Sequence, residues 1–148
     1  MSLAELVSPQ AVVPSLRANS KKQIFLELAD RAAQITGLTD REIFDGLVQR
    51  EKLGTTGIGH GIAIPHAELV DLPVRFGLFA RMERPLDWEA TDGEPVDLIF
   101  VLLSPAGSGA DHLKALALIA RALRGGDLAE KLRATDDPAA LYAVLTHD

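Results

Sequence analysis

The side chain best suited to chemistry in this sequence is His66, which directly follows Pro65 at the end of an apolar, glycine-rich run. A polar side chain in that place is expected to emerge at the edge of a sheet. Imidazole is substantially neutral near physiological pH, so one of its nitrogens is free to act as a nucleophile. A nucleophilic histidine can accept a phosphoryl group and pass it on, with the protein supplying mainly position and charge stabilisation. We therefore predict that His66 is a phosphoryl acceptor.

Three further residues have side chains that suit a phosphoryl group. Arg50 carries a planar guanidinium, which can donate two parallel hydrogen bonds to phosphoryl oxygens. His112 falls near the start of a predicted helix, where peptide dipoles and free amide groups favour an anion. Thr56 offers a hydroxyl donor beside the glycine-rich run. Arg50, Thr56 and His112 are therefore the predicted phosphate-binding residues.

The glycine-rich run does not match the common nucleotide-binding motifs. A P-loop needs lysine followed by serine or threonine after its last glycine, and a dinucleotide motif needs a strand before its glycines and a helix after them. Neither pattern is present here. Zinc bound by His60, His66 and His112 is a chemical alternative, but the spacing from His60 to His66 fits no standard helical pair of ligands. We expect neither a metal nor a cofactor.

Composition and charge narrow the classes of function. The chain has 148 residues, of which 47% are hydrophobic and 24% charged, so we predict one globular domain over residues 1–148. Its net charge of −6 is a poor match for nucleic acid, whose phosphates require neutralisation. The absence of cysteine excludes disulfides and thiolate chemistry. The N-terminal residues do not resemble a signal peptide, and the longest apolar run, 98–103, is too short to span a bilayer, so we expect a cytoplasmic protein without membrane insertion.

Helices are predicted from capping residues and apolar spacing. They cover residues 20–37, 39–54, 108–125 and 127–133, with a last one beginning at Asp137-Pro138. The first two open with Ser-x-x-Gln and Thr-x-x-Glu capping boxes, and both end at glycine. Residues before 20 are predicted to be a short N-terminal segment. The apolar face of the helix over 108–125 is predicted to consist of Leu113, Leu116, Ala117, Ala120 and Leu123.

Strands are predicted between these helices. Residues 58–64 are typical of a short strand or extended loop, and 74–80 of a strand buried mainly on one face. The continuous apolar run over 96–103 predicts a central strand buried on both faces. Trp88 lies in a turn-rich segment and is either a partner contact or a satellite core residue. Helices that surround a small sheet place the chain in the α/β class as a layered sandwich.

At these residues the sequence resembles the enzyme IIA domain of the bacterial phosphoenolpyruvate-dependent phosphotransferase system, in its mannitol/fructose-type superfamily. The segments that carry the resemblance are Gly57-Ile58-Gly59-x-Gly61-Ile62-Ala63-Ile64-Pro65-His66, Ser20-Lys21-Lys22, Ile43-Phe44-Asp45, Arg50-Glu51-Lys52 and Asp111-His112-Leu113. The resemblance covers nearly the whole chain and is strongest to the nitrogen-regulatory branch. Two positions depart from it: His60 stands where asparagine is expected, and Ala67 where glycine is often seen.

The resemblance implies a mixed β-sheet flanked by helices on both faces, with His66 as the phosphorylated residue and Arg50 and His112 lining the phosphate site. It implies that a small histidine phosphocarrier protein donates the phosphoryl group. Members of this branch act on regulatory targets, such as potassium-transport components or sensor kinases, according to their phosphorylation state. Two alternatives remain at this point: a sugar-specific IIA component that passes phosphate to a permease-linked IIB domain, and a binding module that never turns over phosphate. The sequence predicts no oligomeric state.

Overall fold

Six strands form one mixed sheet in the computed structural model, which describes residues 1–147. The strands are β1 (Val7–Leu16), β2 (Gly57–Gly59), β3 (Ile62–Ala63), β4 (His66–Leu69), β5 (Phe76–Leu86) and β6 (Val96–Pro105). Their order is β1-β5-β6-β3-β2, and β4 pairs with β6 beyond the end of β3. The β5–β6 and β2–β3 pairs are antiparallel, whereas β1–β5, β3–β6 and β4–β6 are parallel. The predicted mixed sheet flanked by helices is confirmed.

The helices flank this sheet. They are α1 (Leu3–Leu6), α2 (Lys21–Thr36), α3 (Asp40–Leu53), α4 (Ala110–Arg124), α5 (Leu128–Arg133) and α6 (Pro138–Thr146). The N-cap bond of each predicted capping box is present at the starts of α2 and α3, where Ser20 accepts from the Gln23 amide and Thr39 from the Glu42 amide. The Gln23 side chain accepts from the amide of Asn19 rather than from that of Ser20. Gly37 ends α2 in the left-handed conformation, at φ 80°. No helix within residues 1–147 has the length and apolar character needed to cross a membrane.

The central strand is β6, as predicted, and every residue from Leu98 to Ser104 is buried. The prediction for its neighbour β5 is wrong in one respect. Residues 77–80 are all buried, so this strand is covered on both faces rather than mainly on one. The reason is its position, because β5 lies in the sheet interior between β1 and β6 and both of its faces are covered. The segment also stays extended to Leu86, through part of the region predicted to form turns.

The N-terminal segment contains a strand that the sequence does not predict. β1 runs for ten residues in spite of Pro9 and Pro14, and pairs in parallel with β5. It is the outermost strand of the sheet, so only one of its edges is hydrogen bonded. Its register with β5 also shifts between Val7 and Val12 and between Val13 and Leu16, the stretches that contain the two prolines, and edges and bulges are where strands tolerate proline. Trp88 is fully buried and packs edge-on against Phe25 with ring centroids 5.7 Å apart, which makes it a core residue.

Candidate functional site

His66 lies where the chain leaves one short strand and starts the next. β3 and β4 both pair with β6, and the Ile64-Pro65 step separates them. Before this step, β2 and β3 form a hairpin that turns at His60 and Gly61, with φ values of 58° and 77°. Because His66 is the first residue of β4, its backbone is held by the central strand while its side chain is only partly buried.

Both nitrogens of the His66 ring have defined partners. Nδ1 lies 2.7 Å from the carbonyl oxygen of Ile64, and since a carbonyl can only accept, Nδ1 carries the proton. Nε2 then has the free electron pair, and it accepts a hydrogen bond from Nε of Arg50 at 3.0 Å. The geometry therefore leaves Nε2 as the nitrogen of His66 that carries the free electron pair.

Arg50 reaches His66 from the last turn of α3. Besides its contact with the imidazole, its Nη1 donates to the carbonyl oxygen of Gly54 at 2.8 Å. The guanidinium is thus held between the ring and the loop that follows α3. Because Nε of Arg50 lies 3.0 Å from Nε2 of His66, the guanidinium is adjacent to any group that this nitrogen would carry.

His112 approaches from the other side, on α4. Its Nδ1 forms a hydrogen bond with the hydroxyl of the fully buried Ser104 at 2.6 Å, and its ring centroid lies 5.3 Å from that of His66. Ser104 was not predicted, although a polar residue at the end of the apolar run of β6 was a signal for it. His66, Arg50 and His112 are therefore brought together from three separate elements.

The predicted apolar face of α4 is partly confirmed: Leu123 is buried, and Leu116 and Ala120 pack partly buried against the core. It is wrong at Leu113 and Ala117, which are exposed. The buried positions of α4 are His112, Ala115, Ile119 and Leu123, whereas Leu113 is 66% exposed. Both sets have helical spacing, so spacing alone could not separate them. The hydrogen bond to Ser104 satisfies the polar ring of His112 and permits it to face inward in place of leucine.

An open cavity of about 620 Å³ adjoins these three residues. It is lined by Gly46, Gln49, Arg50, Leu53, His66, Ala67, Glu68, Gly109, His112 and Leu113. Thr56 is not among them, because it is buried and its hydroxyl donates to the carboxylate of Glu51. Glu68 accepts a hydrogen bond from the amide of Gly109 at 3.1 Å, next to the start of α4.

The site keeps its imidazoles neutral. Burial lowers the pKa of His66, and the charges of Arg50 and His112 lower it further, against the hydrogen bond to Ile64 and the charge of Glu51, which raise it. Burial also lowers the pKa of His112, and Arg50 adds to that effect while the Glu68 carboxylate opposes it. Two neutral rings beside a guanidinium form a site that can bind an anion and supply a nucleophile.

His60 lies away from this cavity, exposed at the tip of the β2–β3 hairpin, where its amide donates to Asp92 at 3.0 Å. Its positive φ suits asparagine or histidine better than most residues. Within residues 1–147, no group of three or more His, Cys, Asp or Glu side chains is placed to hold a metal ion.

Comparison with known proteins gives a consistent result. Residues 5–148 match the family model described as "Phosphoenolpyruvate-dependent sugar phosphotransferase system, EIIA 2". The "Nitrogen regulatory protein" of Bradyrhizobium diazoefficiens is 58% identical over 145 residues, which cover 98% of this chain and 95% of that protein. The protein of the same description from Escherichia coli (strain K12) is 35% identical over 147 residues, covering 99% and 90%.

Solved structures agree. The nitrogen regulatory protein IIA-Ntr from Neisseria meningitidis superposes with a TM-score of 0.90 at 33% identity, covering 97% of this chain and 99% of that one. The mannitol IIA from Escherichia coli superposes with a TM-score of 0.80 over 94% of this chain and 98% of the other. At 15% identity the second match shows a shared fold alone.

Proposed function

This chain belongs to the EIIA type 2 family, the phosphotransferase components of the phosphoenolpyruvate-dependent sugar phosphotransferase system, and on that basis we propose that it carries a phosphoryl group on His66 and signals its phosphorylation state. The donor in this proposal is a small histidine phosphocarrier protein of the same relay. The observation that carries the proposal is the His66 ring itself, protonated on Nδ1, with Nε2 next to Arg50 and an open cavity.

The transfer is a simple exchange at phosphorus. The electron pair on Nε2 of His66 attacks the phosphorus of the donor phosphohistidine in line, the donor nitrogen–phosphorus bond breaks, and its electron pair returns to the donor ring. The proton on Nδ1 stays on its hydrogen bond to Ile64 throughout. Arg50, which donates to Nε2 before the reaction, moves its N–H groups to the phosphoryl oxygens, where the charge resides. His112 lies next to the same oxygens and stabilises them as a second group.

The signal in this proposal is a change of charge on the surface. A neutral imidazole gains a phosphoryl group whose oxygens carry close to two negative charges, which the ring that keeps its Nδ1 proton offsets only in part. The added negative charge repels some partners and pairs with arginines on others. Full-length relatives described as nitrogen regulatory proteins support a regulatory output. Regulatory targets, such as potassium-transport components or sensor kinases, are therefore proposed rather than a permease. We place the protein in the cytoplasm, acting as one domain over residues 1–148.

The experiment is reconstitution with phosphoenolpyruvate, enzyme I and the small carrier protein. We expect one phosphoryl group per chain, labile in acid and stable in base. Failure of the wild-type chain to accept phosphate from its own carrier would refute the proposal and favour a binding module. Purified phosphoprotein is then mixed with candidate IIB domains, and rapid loss of phosphate to one of them would favour the sugar-specific alternative.

Two exposed leucines predict how the donor protein docks. Leu53 is 85% exposed and Leu113 66% exposed, and both line the cavity beside His66. The fully buried core of a protein interface is more apolar than the rest of the surface, so exposed leucines beside the cavity suit its centre. We expect Leu113→Asp to slow transfer from the carrier protein by about tenfold or more. Transfer from a small donor such as phosphoramidate is expected to be unchanged, since that reagent needs no docking surface.

The matched control for this variant is Leu26→Asp. Leu26 is 49% exposed and lines a separate groove, together with Arg17 and Glu83. Its substitution is expected to leave both rates unchanged. Equal slowing with carrier and phosphoramidate would show that Leu113→Asp disturbs the site itself and would contradict a docking role.

The lowered pKa of His66 predicts the pH dependence of labelling. Because the folded pKa lies below the ordinary value of about 6.5, more than half of the rings are still neutral at that pH. We expect the rate with phosphoramidate to fall as the pH is lowered, with its midpoint below about pH 6.5. An NMR titration of the His66 ring gives the pKa directly, and a midpoint above about 6.5 would contradict the prediction. By linkage, the stability contributed by a neutral His66 is present above about pH 6.5 and lost as the pH falls through the folded pKa.

A further inference from the structure

Thr56, predicted to bind phosphate, forms a different contact. Its hydroxyl and its backbone N–H both donate to the carboxylate of Glu51, with the amide 3.2 Å from each oxygen. Nζ of Lys21 donates to the same carboxylate at 3.0 Å. Burial alone raises the pKa of Glu51, but these hydrogen bonds outweigh it and hold the pKa below its ordinary value. Lys21, Glu51 and Thr56 form what we name the Glu51 cluster.

The Glu51 cluster is connected to one nitrogen of His66 through the backbone. The carbonyl oxygen of Thr56 accepts from the amide of Ile64 at 2.9 Å. The carbonyl oxygen of Ile64 in turn accepts from Nδ1 of His66 at 2.7 Å. The position of Thr56 therefore fixes the acceptor that keeps the proton on Nδ1.

The same loop also holds the partner of Nε2, the other ring nitrogen of His66. Arg50 precedes Glu51 on α3, donates to Nε2 of His66, and is itself held by the carbonyl oxygen of Gly54. Gly54 and Thr56 are two residues apart, so the contact of Thr56 with Glu51 sets the shape of the loop at both points. A change in the contact between Thr56 and Glu51 is therefore expected to affect both ring nitrogens of His66.

Lys21 connects the Glu51 cluster to the buried core. Lys21 is the first residue of α2, and its ammonium lies 5.4 Å from the ring centroid of the fully buried Trp88. The Glu51 side chain is only 10% exposed, and its charge is balanced by Lys21. The cluster therefore ties the start of α2, the end of α3 and the following loop together.

We propose that Glu51 and Thr56 are positioning residues, which hold His66 as its Nδ1–H tautomer with Nε2 directed to the cavity. This inference rests on the proposed function, since it explains how that nucleophile is prepared. Without the contact between Glu51 and Thr56, the Ile64 carbonyl loses its fixed position and the proton can move to Nε2. A ring protonated on Nε2 has no electron pair there with which to attack phosphorus.

The test compares substitutions in the loop. Thr56→Val keeps the size of the side chain but removes its hydroxyl, and Thr56→Ser restores the hydroxyl. Thr55→Val is the matched control, because within residues 1–147 the hydrogen bond of the Thr55 hydroxyl is with the amide of Gly57 and not with Glu51. Nitrogen-15 NMR of the neutral His66 ring reports its tautomer, phosphoramidate labelling reports its reactivity, and thermal unfolding reports stability.

We expect the wild-type ring to show the Nδ1–H tautomer alone. Thr56→Val is expected to show both tautomers and to label about tenfold more slowly, since small losses of position have large effects on rate. Thr56→Ser and Thr55→Val are expected to match the wild type in tautomer and rate. A purely structural role for Thr56 would lower the unfolding temperature without moving the nitrogen signals.

A folded Thr56→Val protein with wild-type nitrogen signals and labelling rate would overturn the inference. Should that variant not fold, Glu51→Gln provides the test, because it keeps the side-chain size and replaces charge-assisted hydrogen bonds by weaker neutral ones. We expect a second tautomer and labelling about threefold slower, and unchanged signals would again overturn the inference. If the wild type itself takes no phosphate, the proposed function fails, while the NMR comparison still decides the role of the Glu51 cluster.

Discussion

Replacing His66 by alanine is expected to abolish phosphorylation of the protein. Alanine removes Nε2 of His66, the nitrogen beside Arg50 that the proposal assigns to the attack on phosphorus. Loss of a nucleophile reduces a transfer of this kind by at least about 10³-fold, which here means labelling at background. The measurement is incorporation of labelled phosphate from phosphoenolpyruvate through enzyme I and the carrier, with acid and base stability tested on the product.

A second histidine provides the control for this variant. His60 is exposed on the hairpin turn and lies away from the cavity, and asparagine suits its positive φ. His60→Asn is therefore expected to label as the wild type does. Equal labelling of a folded His66→Ala protein would show that phosphate goes elsewhere, and the assignment of His66 would have to be abandoned.

Replacing Arg50 by lysine is expected to slow phosphoryl transfer by about 10²-fold, the usual effect of removing one oriented donor to a transition-state charge. Lysine keeps the charge but lacks the planar fork with which arginine contacts Nε2 of His66 and the carbonyl of Gly54 together. Single-turnover labelling with phosphoramidate measures the effect without a contribution from docking.

Arg41→Lys is the matched control, because Arg41 lies on the same helix, is 89% exposed and contacts only Asp45 among salt-bridge partners in residues 1–147. It should leave the rate unchanged. Arg50→Ala adds a second measurement: since the charge of Arg50 lowers the pKa of His66, its removal should raise that pKa in an NMR titration. The assignment of Arg50 to the site would be contradicted if Arg50→Lys labelled at the normal rate and the pKa of His66 were unchanged in Arg50→Ala.

Local chemistry explains why much of the fold was predictable. The starts of α2 and α3 depend on hydrogen bonds between residues three apart, so Ser20 with Gln23 and Thr39 with Glu42 mark them in the sequence. The strand β6 is visible because burial on both faces requires an unbroken apolar run. β1 was missed, since its two prolines argue against a strand and become acceptable only through its place at the sheet edge and its irregular pairing with β5.

The sequence by itself identified His66, Arg50 and His112 as the side chains with suitable chemistry, because nucleophilicity and charge are properties of the residue type. The family resemblance was also visible in the sequence, because each motif that carries it is a continuous segment of the chain. The tertiary structure alone decided which face of α4 is buried, and so that His112 points inward and Leu113 outward. The inward orientation of His112 is supported by its hydrogen bond to Ser104, which lies on β6.

The tertiary structure likewise decided which nitrogen of His66 is free and what Thr56 does. Both answers depend on hydrogen bonds that involve particular orientations: Nδ1 to the Ile64 carbonyl, and the Thr56 hydroxyl to Glu51. A side chain's hydrogen-bond partner is set by the packing of helices and strands around it, and residue type and spacing do not contain that information. Residue type therefore determines which chemistry the side chains of this protein suit. The fold determines which ring nitrogen of His66 has the free electron pair.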